Sequence, residues 1–145
     1  MKVYLDTSVV LAYYLEGSDV LDRLPSDASV GSSRLLWIEF SRVLERAVRS
    51  NQLSPENTVG IRRSFDEMTL TIDRLRLGEG VLRRAEGSFP LVVRSLDALH
   101  LASAALWCEP APPSDLAVWS YDRQQNLCAA AMGFATPFLD TITRP

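Results

Sequence analysis

Cysteine, histidine and lysine are all scarce in this 145-residue chain, which holds two cysteines and one histidine, with Lys2 as its only lysine. Cys108 and Cys128 have no Cys-x-x-Cys spacing, and His100 alone could complete a set with them, so neither a disulfide framework nor a structural zinc site is expected. A surplus of positive charge is missing too. The net charge of -3 and a pI near 5.1 give no bulk basic footprint of the kind that nucleic-acid binders usually carry. Long apolar runs are absent: Asp6 cuts the N-terminal one, and Val9 to Leu15 is too short to span a bilayer or to act as a signal sequence. A cytoplasmic protein with no membrane association is expected.

What is present is ordinary for a folded domain, with 47% hydrophobic and 23% charged residues. The length suits one core, and no repeat, low-complexity tract or linker divides it, so residues 1–145 read as a single domain. Lys2 to Leu5 reads as a buried strand, with Asp6, Thr7 and Ser8 opening a helix through Leu15. A short helix is expected over Asp19 to Leu24, a brief strand over Ala28 to Gly31, and a long helix from Ser32 and Ser33 to about Ser50. Ser54, Pro55 and Glu56 supply a cap, a first-turn proline and a first-turn acid for a helix to about Glu67. Thr69 to Ile72 has strand composition, Gly78 to Gly87 reads as a short helix, and Ser95 to Trp107 as an almost wholly apolar one. Beyond the proline-rich loop Glu109 to Ser114 come a strand over Leu116 to Tyr121, a helix over Arg123 to Met132 that stops at Gly133, and a last strand over Ala135 to Leu139. Strands alternating with helices imply an α/β fold with a parallel sheet, because parallel neighbours need crossover connections.

Most of the 18 acidic residues sit where surface charge belongs; Glu45, for example, can pair with Arg49 one turn on. Four do not. Glu39 lies in an apolar stripe with Leu36, Phe40, Val43 and Ala47, where an uncompensated charge is expensive. Asp97 lies in a helical first turn among Leu96, Ala98, Leu99 and Leu101, where complementing the helix dipole is an equally good reason for it. Asp6 and Asp122 each follow a strand and open a helix, so each can be a plain N-cap. The carboxyl ends of parallel strands nevertheless form the rim where ligands bind, and one acidic pocket there accounts for all four. Carboxylates held that close repel one another, and a hard divalent cation such as Mg²⁺ or Mn²⁺ relieves the repulsion. Such a cation can also activate water against a phosphodiester.

Four segments carry a resemblance: Val3-Tyr-Leu-Asp6-Thr-Ser-Val-Val-Leu-Ala12, Trp37-Ile-Glu39-Phe, Leu96-Asp97-Ala-Leu-His-Leu-Ala-Ser-Ala104 and Trp119-Ser-Tyr-Asp122-Arg-Gln-Gln-Asn-Leu. In this order and spacing the chain resembles the PIN-domain family, most closely its VapC-like toxin branch from type II toxin-antitoxin systems. The resemblance implies a PIN-like three-layer sandwich around a five-stranded parallel sheet, with Asp6, Glu39, Asp97 and Asp122 as the acidic metal-binding quartet. It also implies Mg²⁺- or Mn²⁺-dependent endoribonuclease activity on RNA, a homodimer, and neutralisation by a small cognate antitoxin. Ser120 retains a hydroxyl where the family segment often ends in threonine.

Thr7, Ser8 and Ser120 are secondary candidates for orienting water or phosphate, a role compatible with capping. His100 reads as a packed, hydrogen-bonded core residue and is assigned no catalytic role. Arg123 and Asn126 read as helix-surface residues, and Arg42, Arg46, Arg49, Arg62 and Arg63 as a local basic rim or equally as solvated faces. Val9, Tyr13, Tyr14 and Trp37 read as core or as interface. A phosphate-signalling receiver would need a lysine near a late strand, and a haloacid-dehalogenase-type phosphatase a second aspartate where Ser8 stands; both are disfavoured. A PIN nuclease of RNA maturation, or a non-catalytic PIN-like binding module, stands as the alternative.

Overall fold

In the computed structural model, which describes residues 1–141, the parallel sheet grows from a four-residue strand buried on both faces. That strand, β1 (Lys2–Leu5), is followed by α1 (Thr7–Leu15), β2 (Ser29–Ser33), α2 (Leu35–Arg49), α3 (Pro55–Thr69) and β3 (Asp73–Leu75). Then come α4 (Glu79–Glu86), α5 (Ser95–Cys108), β4 (Leu116–Trp119) and α6 (Arg123–Ala131). Short 3₁₀ turns occupy Val20–Arg23, Pro113–Asp115 and Leu139–Thr141. The strand order is β3-β2-β1-β4, all parallel, with β1 registered against β2 on one side and β4 on the other.

The two-residue alternation of β1 and β4 makes the three layers. Val3, Leu5, Ala117 and Trp119 face a cluster with Val9 and Val10 of α1, Leu36 and Phe40 of α2 and Phe65 of α3. Tyr4, Leu116 and Val118 face the opposite cluster, with Leu101, Ala104 and Ala105 of α5 and Cys128 and Ala129 of α6. Both cysteines are free and buried there, and burial pushes both thiols up. Gly31 leaves room for the Trp107 ring of α5, since a Cβ on it would come within 3.0 Å of that ring. No described helix is long and apolar enough to cross a membrane.

The sheet has four strands, not the five expected. Ala135 makes a single parallel bridge to Ala117, with Val118 N–H donating to Ala135 O and Ala135 N–H to Leu116 O. Pro137, two residues on, lacks the N–H that a continued ladder needs, and the chain turns away. Two other expectations shift. Ser32 and Ser33 belong to β2 rather than to the helix start, although Ser33 Oγ accepts from Leu35 N–H at the turn into α2. Thr69 ends α3, its hydroxyl donating to Asp66 O, and the edge strand falls at Asp73–Leu75 instead of 69–72.

The chain runs from β1 through α1 to β2 on one face, and leaves β4 through α6 on the other face. Strand exits that diverge in this way open a crevice between the carboxyl ends of β1 and β4, the position where open α/β sheets bind ligands.

Candidate active site

Asp6 and Asp122 flank that crevice because each caps the helix that leaves it. Asp6 accepts from Ser8 N–H at the start of α1, and Asp122 Oδ1 accepts from Gln125 N–H at 2.8 Å at the start of α6. Capping and pocket-lining are thus both true of these residues. Asp97 stands in the first turn of α5, and Glu39 in the second turn of α2. All four carboxylates line one cavity of about 580 Å³, together with Thr7, Ser8 and Arg94. A larger hollow of about 700 Å³ lies between α2 and α3, but its walls are Leu44, Val59 and Leu70 with surface charges such as the Arg62–Asp66 pair, and no convergent chemistry.

Asp6 and Glu39 are each held through one oxygen. Asp6 Oδ2 accepts from Ser8 Oγ at 2.6 Å and Ser120 Oγ at 2.9 Å. Those two hydroxyls in turn accept from the backbone N–H groups of Tyr121 and Asp122, which ties the end of β4 to the start of α1. Glu39 Oε1 accepts from Thr7 Oγ1 at 2.8 Å and lies 2.6 Å from His100 Nε2. The three secondary candidates, Thr7, Ser8 and Ser120, therefore all touch the quartet. Burial alone raises the Glu39 pKa, but the bond and charge of His100 and the Thr7 hydroxyl overcome it, leaving Glu39 below its usual range.

His100 is 1% exposed, packed and hydrogen-bonded as the sequence suggests, yet its partners are unforeseen. Its Nδ1 lies 2.6 Å from Tyr4 Oη, and its Nε2 lies 3.7 Å from Asp6 Oδ1. Burial pushes the imidazole down, while the Glu39 bond and the charges of Asp6, Glu39 and Asp97 push it up further, so its pKa is raised. The available signal was spacing: His100 follows Asp97 by three residues, close to one helical turn.

Asn126 is a correction. It is fully buried rather than on the helix surface, its Nδ2 donating to Ser120 O at 2.7 Å and Asp122 O at 3.0 Å, which secures the loop that carries both residues. Arg123 is exposed as expected. Glu45 pairs with both Arg42 and Arg49, and Arg62 with Asp66, so these arginines are largely engaged on their own helices. Val9 is wholly buried, and Tyr13, Tyr14 and Trp37 pack against the same core.

Asp97 and Asp122 are held more loosely. Arg94 reaches Asp97 Oδ2 and Asp122 Oδ2 at 3.9 Å each, from an 86% exposed side chain. Burial, then the charges of Asp122 and Asp6, raise the Asp97 pKa against the partial relief of Arg94 and His100. Among the described residues no three acidic, histidine or cysteine side chains are drawn into a closed metal-binding group. The donor set is nevertheless all hard oxygen, in an open pocket, with mutual repulsion recorded at Asp97; this fits a Mg²⁺- or Mn²⁺-type ion that keeps several waters.

A parallel α/β sandwich with an acidic, oxygen-donor pocket at its switch point defines the class. The chain belongs to the PIN domain family, whose model matches residues 3–125. Among solved structures it is similar to the toxin-antitoxin complex from Klebsiella pneumoniae, at 17% identity, 85% of this chain and 88% of that chain covered, TM-score 0.54. It is similar also to VapBC2 from Rickettsia felis bound to a DNA fragment from their promoter, at 11% identity, 86% and 90% covered, TM-score 0.59. VapBC-1 from nontypeable Haemophilus influenzae aligns at 12% identity, 94% and 98% covered, TM-score 0.56. At such identities these likenesses show the shared fold. No curated protein matches the chain by sequence.

Proposed function

We propose that this PIN domain, a single domain over residues 1–145, is a Mg²⁺- or Mn²⁺-dependent endoribonuclease. Its biological role is that of a cytoplasmic, homodimeric toxin of a type II toxin-antitoxin pair, held in check by a small cognate antitoxin. The observation that carries the activity is the meeting of Asp6, Glu39, Asp97 and Asp122, from four distant stretches of chain, in one cavity at the sheet's switch point. The toxin role rests on membership of the PIN family and on a fold shared with three toxin-antitoxin complexes.

When bound, the divalent cation supplies Lewis-acid chemistry, lowering the pKa of water and offsetting charge on the phosphodiester. Asp6, Asp97 and Asp122 would hold it, and Glu39 would hold a second ion or orient the attacking water. Ser8 and Ser120 keep Asp6 Oδ2 occupied, so Asp6 presents Oδ1. Arg94 at the mouth is the basic side chain of the pocket lining, placed to meet a backbone phosphate of RNA.

The test compares the protein with Asp6→Ala and Asp97→Ala on a labelled RNA, in Mn²⁺, Mg²⁺ and EDTA. Cleavage should need the cation and fall at least about 100-fold in each variant, since the ligands themselves matter no less than the groups behind them. Equal cleavage by all three proteins rejects the site. Expression should arrest growth and the Asp97→Ala form should not; harmless expression with intact cleavage in vitro rejects the toxin role alone.

A further inference from the structure

The quartet is not the whole of the buried polar cluster. A chain of contacts runs from the backbone of β2 through β1 and α5 to α2, and it ends on Glu39. Ser33 N–H donates to Tyr4 Oη at 3.2 Å, Tyr4 Oη lies 2.6 Å from His100 Nδ1, and His100 Nε2 lies 2.6 Å from Glu39 Oε1. Tyr4 is 0% exposed and His100 1%, so water does not substitute for any of these partners.

Counting donors settles which way the protons point. An ionised Glu39 can only accept, so its 2.6 Å contact calls for a ring proton on Nε2. The phenol, which accepts from Ser33 N–H and still has its own proton to give, is placed to donate to Nδ1. That makes Nδ1 an acceptor in the neutral ring and puts the ring proton on Nε2, facing the carboxylate. With Thr7 Oγ1 donating to the same oxygen, Oε1 is fully engaged, and Oε2 is the oxygen of Glu39 left for the pocket.

We infer that His100, with its tautomer set by Tyr4, is a positioning residue that fixes Glu39 in one orientation, offering only Oε2 to a divalent cation or its water. The inference rests on the reading of the pocket as a cation-dependent nuclease site. Buried partners that fix a ligand in this way usually govern metal affinity by roughly 10- to 100-fold.

His100 is the only histidine, so the imidazole nitrogens of the whole protein give a single pair of ¹⁵N signals without assignment. Where the ring is neutral, the full chain should show a proton on Nε2 and none on Nδ1, with Tyr4→Phe admitting the other tautomer. A ring whose Nε2 is bare in the parent protein overturns the inference, and this measurement needs no variant to fold.

The second arm is Mn²⁺ affinity by calorimetry or electron paramagnetic resonance. His100→Leu should weaken binding about 10- to 100-fold. His100→Gln, which keeps an N–H donor at similar reach, should restore most of it. In a Glu39→Gln background, His100→Leu should cost almost nothing further, because the effect passes through Glu39. Equal losses in the Leu and Gln forms, or an undiminished loss in the Glu39→Gln background, mean a merely structural histidine and overturn the inference. If the tautomer and the Mn²⁺ cycle behave as stated but RNA stays intact, the nuclease reading fails and the positioning role stands. If RNA is cleaved but His100→Leu binds Mn²⁺ like the parent, the positioning role fails alone.

Discussion

Asp6 and Glu39 enter the pocket tied down by the protein's own donors, whereas Asp97 and Asp122 enter it nearly free. On the first side, Ser8, Ser120, Thr7 and His100 each spend a hydrogen bond on a carboxylate oxygen. On the second side, Asp122 keeps its capping bond, and Arg94 meets both carboxylates at 3.9 Å from solvent. Charge on the first side is compensated from within. Charge on the second is left for something external, and burial, followed by the charges of Asp122 and Asp6, raises the Asp97 pKa. A half-rigid, half-open acidic site suits the cation binding proposed above: enough order to select geometry, and enough uncompensated charge to draw the ion in.

The largest expected effect is the cation response of the open half. Mn²⁺ at a hundredfold over its Kd should raise unfolding free energy by about 2.7 kcal/mol, and Asp97→Asn or Asp122→Asn should abolish most of that rise in paired melts with and without EDTA. Next, in EDTA alone, Asp6→Asn should cost about 1–3 kcal/mol, because the Ser8 and Ser120 network loses its charged acceptor. Asp97→Asn should instead gain about 1 kcal/mol by removing repulsion with Asp122 and Asp6. Denaturant titrations that show both substitutions destabilising would erase the contrast.

A smaller effect lies beneath the loop that carries Asp122. Gln125 is 0% exposed, and both its side-chain polar atoms lack partners among the described residues. Gln125→Leu should therefore stabilise the fold by about 1 kcal/mol in chemical denaturation, with no change in Mn²⁺ affinity. The smallest effect is a titration away from the pocket. Burial, then the neighbouring Tyr13 and Glu67, push the Tyr14 phenol up to about 12, so alkaline difference spectra should show a late phase there that Tyr14→Phe removes.

All four acids were legible in the sequence as residues, Glu39 from its apolar stripe and the three aspartates from their helix starts. Asp6, Asp97 and Asp122 stand at helix starts next to apolar elements, and a charged residue in such a place is visible without any structure. Asp6 and Glu39 were legible as residues but not as a tethered pair. The hydroxyls that hold them come from Ser120 and Thr7, and the pairings Asp6–Ser120 and Thr7–Glu39 exist only once β4 lies beside β1 and α2 beside α1. Tyr4 and His100 read as core because they are core; their polar atoms meet across 96 residues of chain. In the fold, β1 and β4 were plain because both faces are apolar, while β3 was misplaced because an exposed three-residue edge strand of Asp, Arg and Leu carries no hydrophobic pattern. Asn126 was misread for a related reason. A buried amide on a short helix looks like any surface amide until the carbonyls of Ser120 and Asp122 are placed beneath it.

The single lysine has a practical consequence. Lys2 opens β1, its ammonium donating to Trp107 O at 2.6 Å and lying over the Trp107 ring, so it closes the C-terminal end of α5 at the base of the sheet. Lysine-directed chemistry therefore has one place to attack, and that place is at the opposite end of β1 from Asp6. A surface coupled through that one lysine side chain would display the acidic mouth turned toward the solution, which suits immobilised binding measurements with RNA or Mn²⁺.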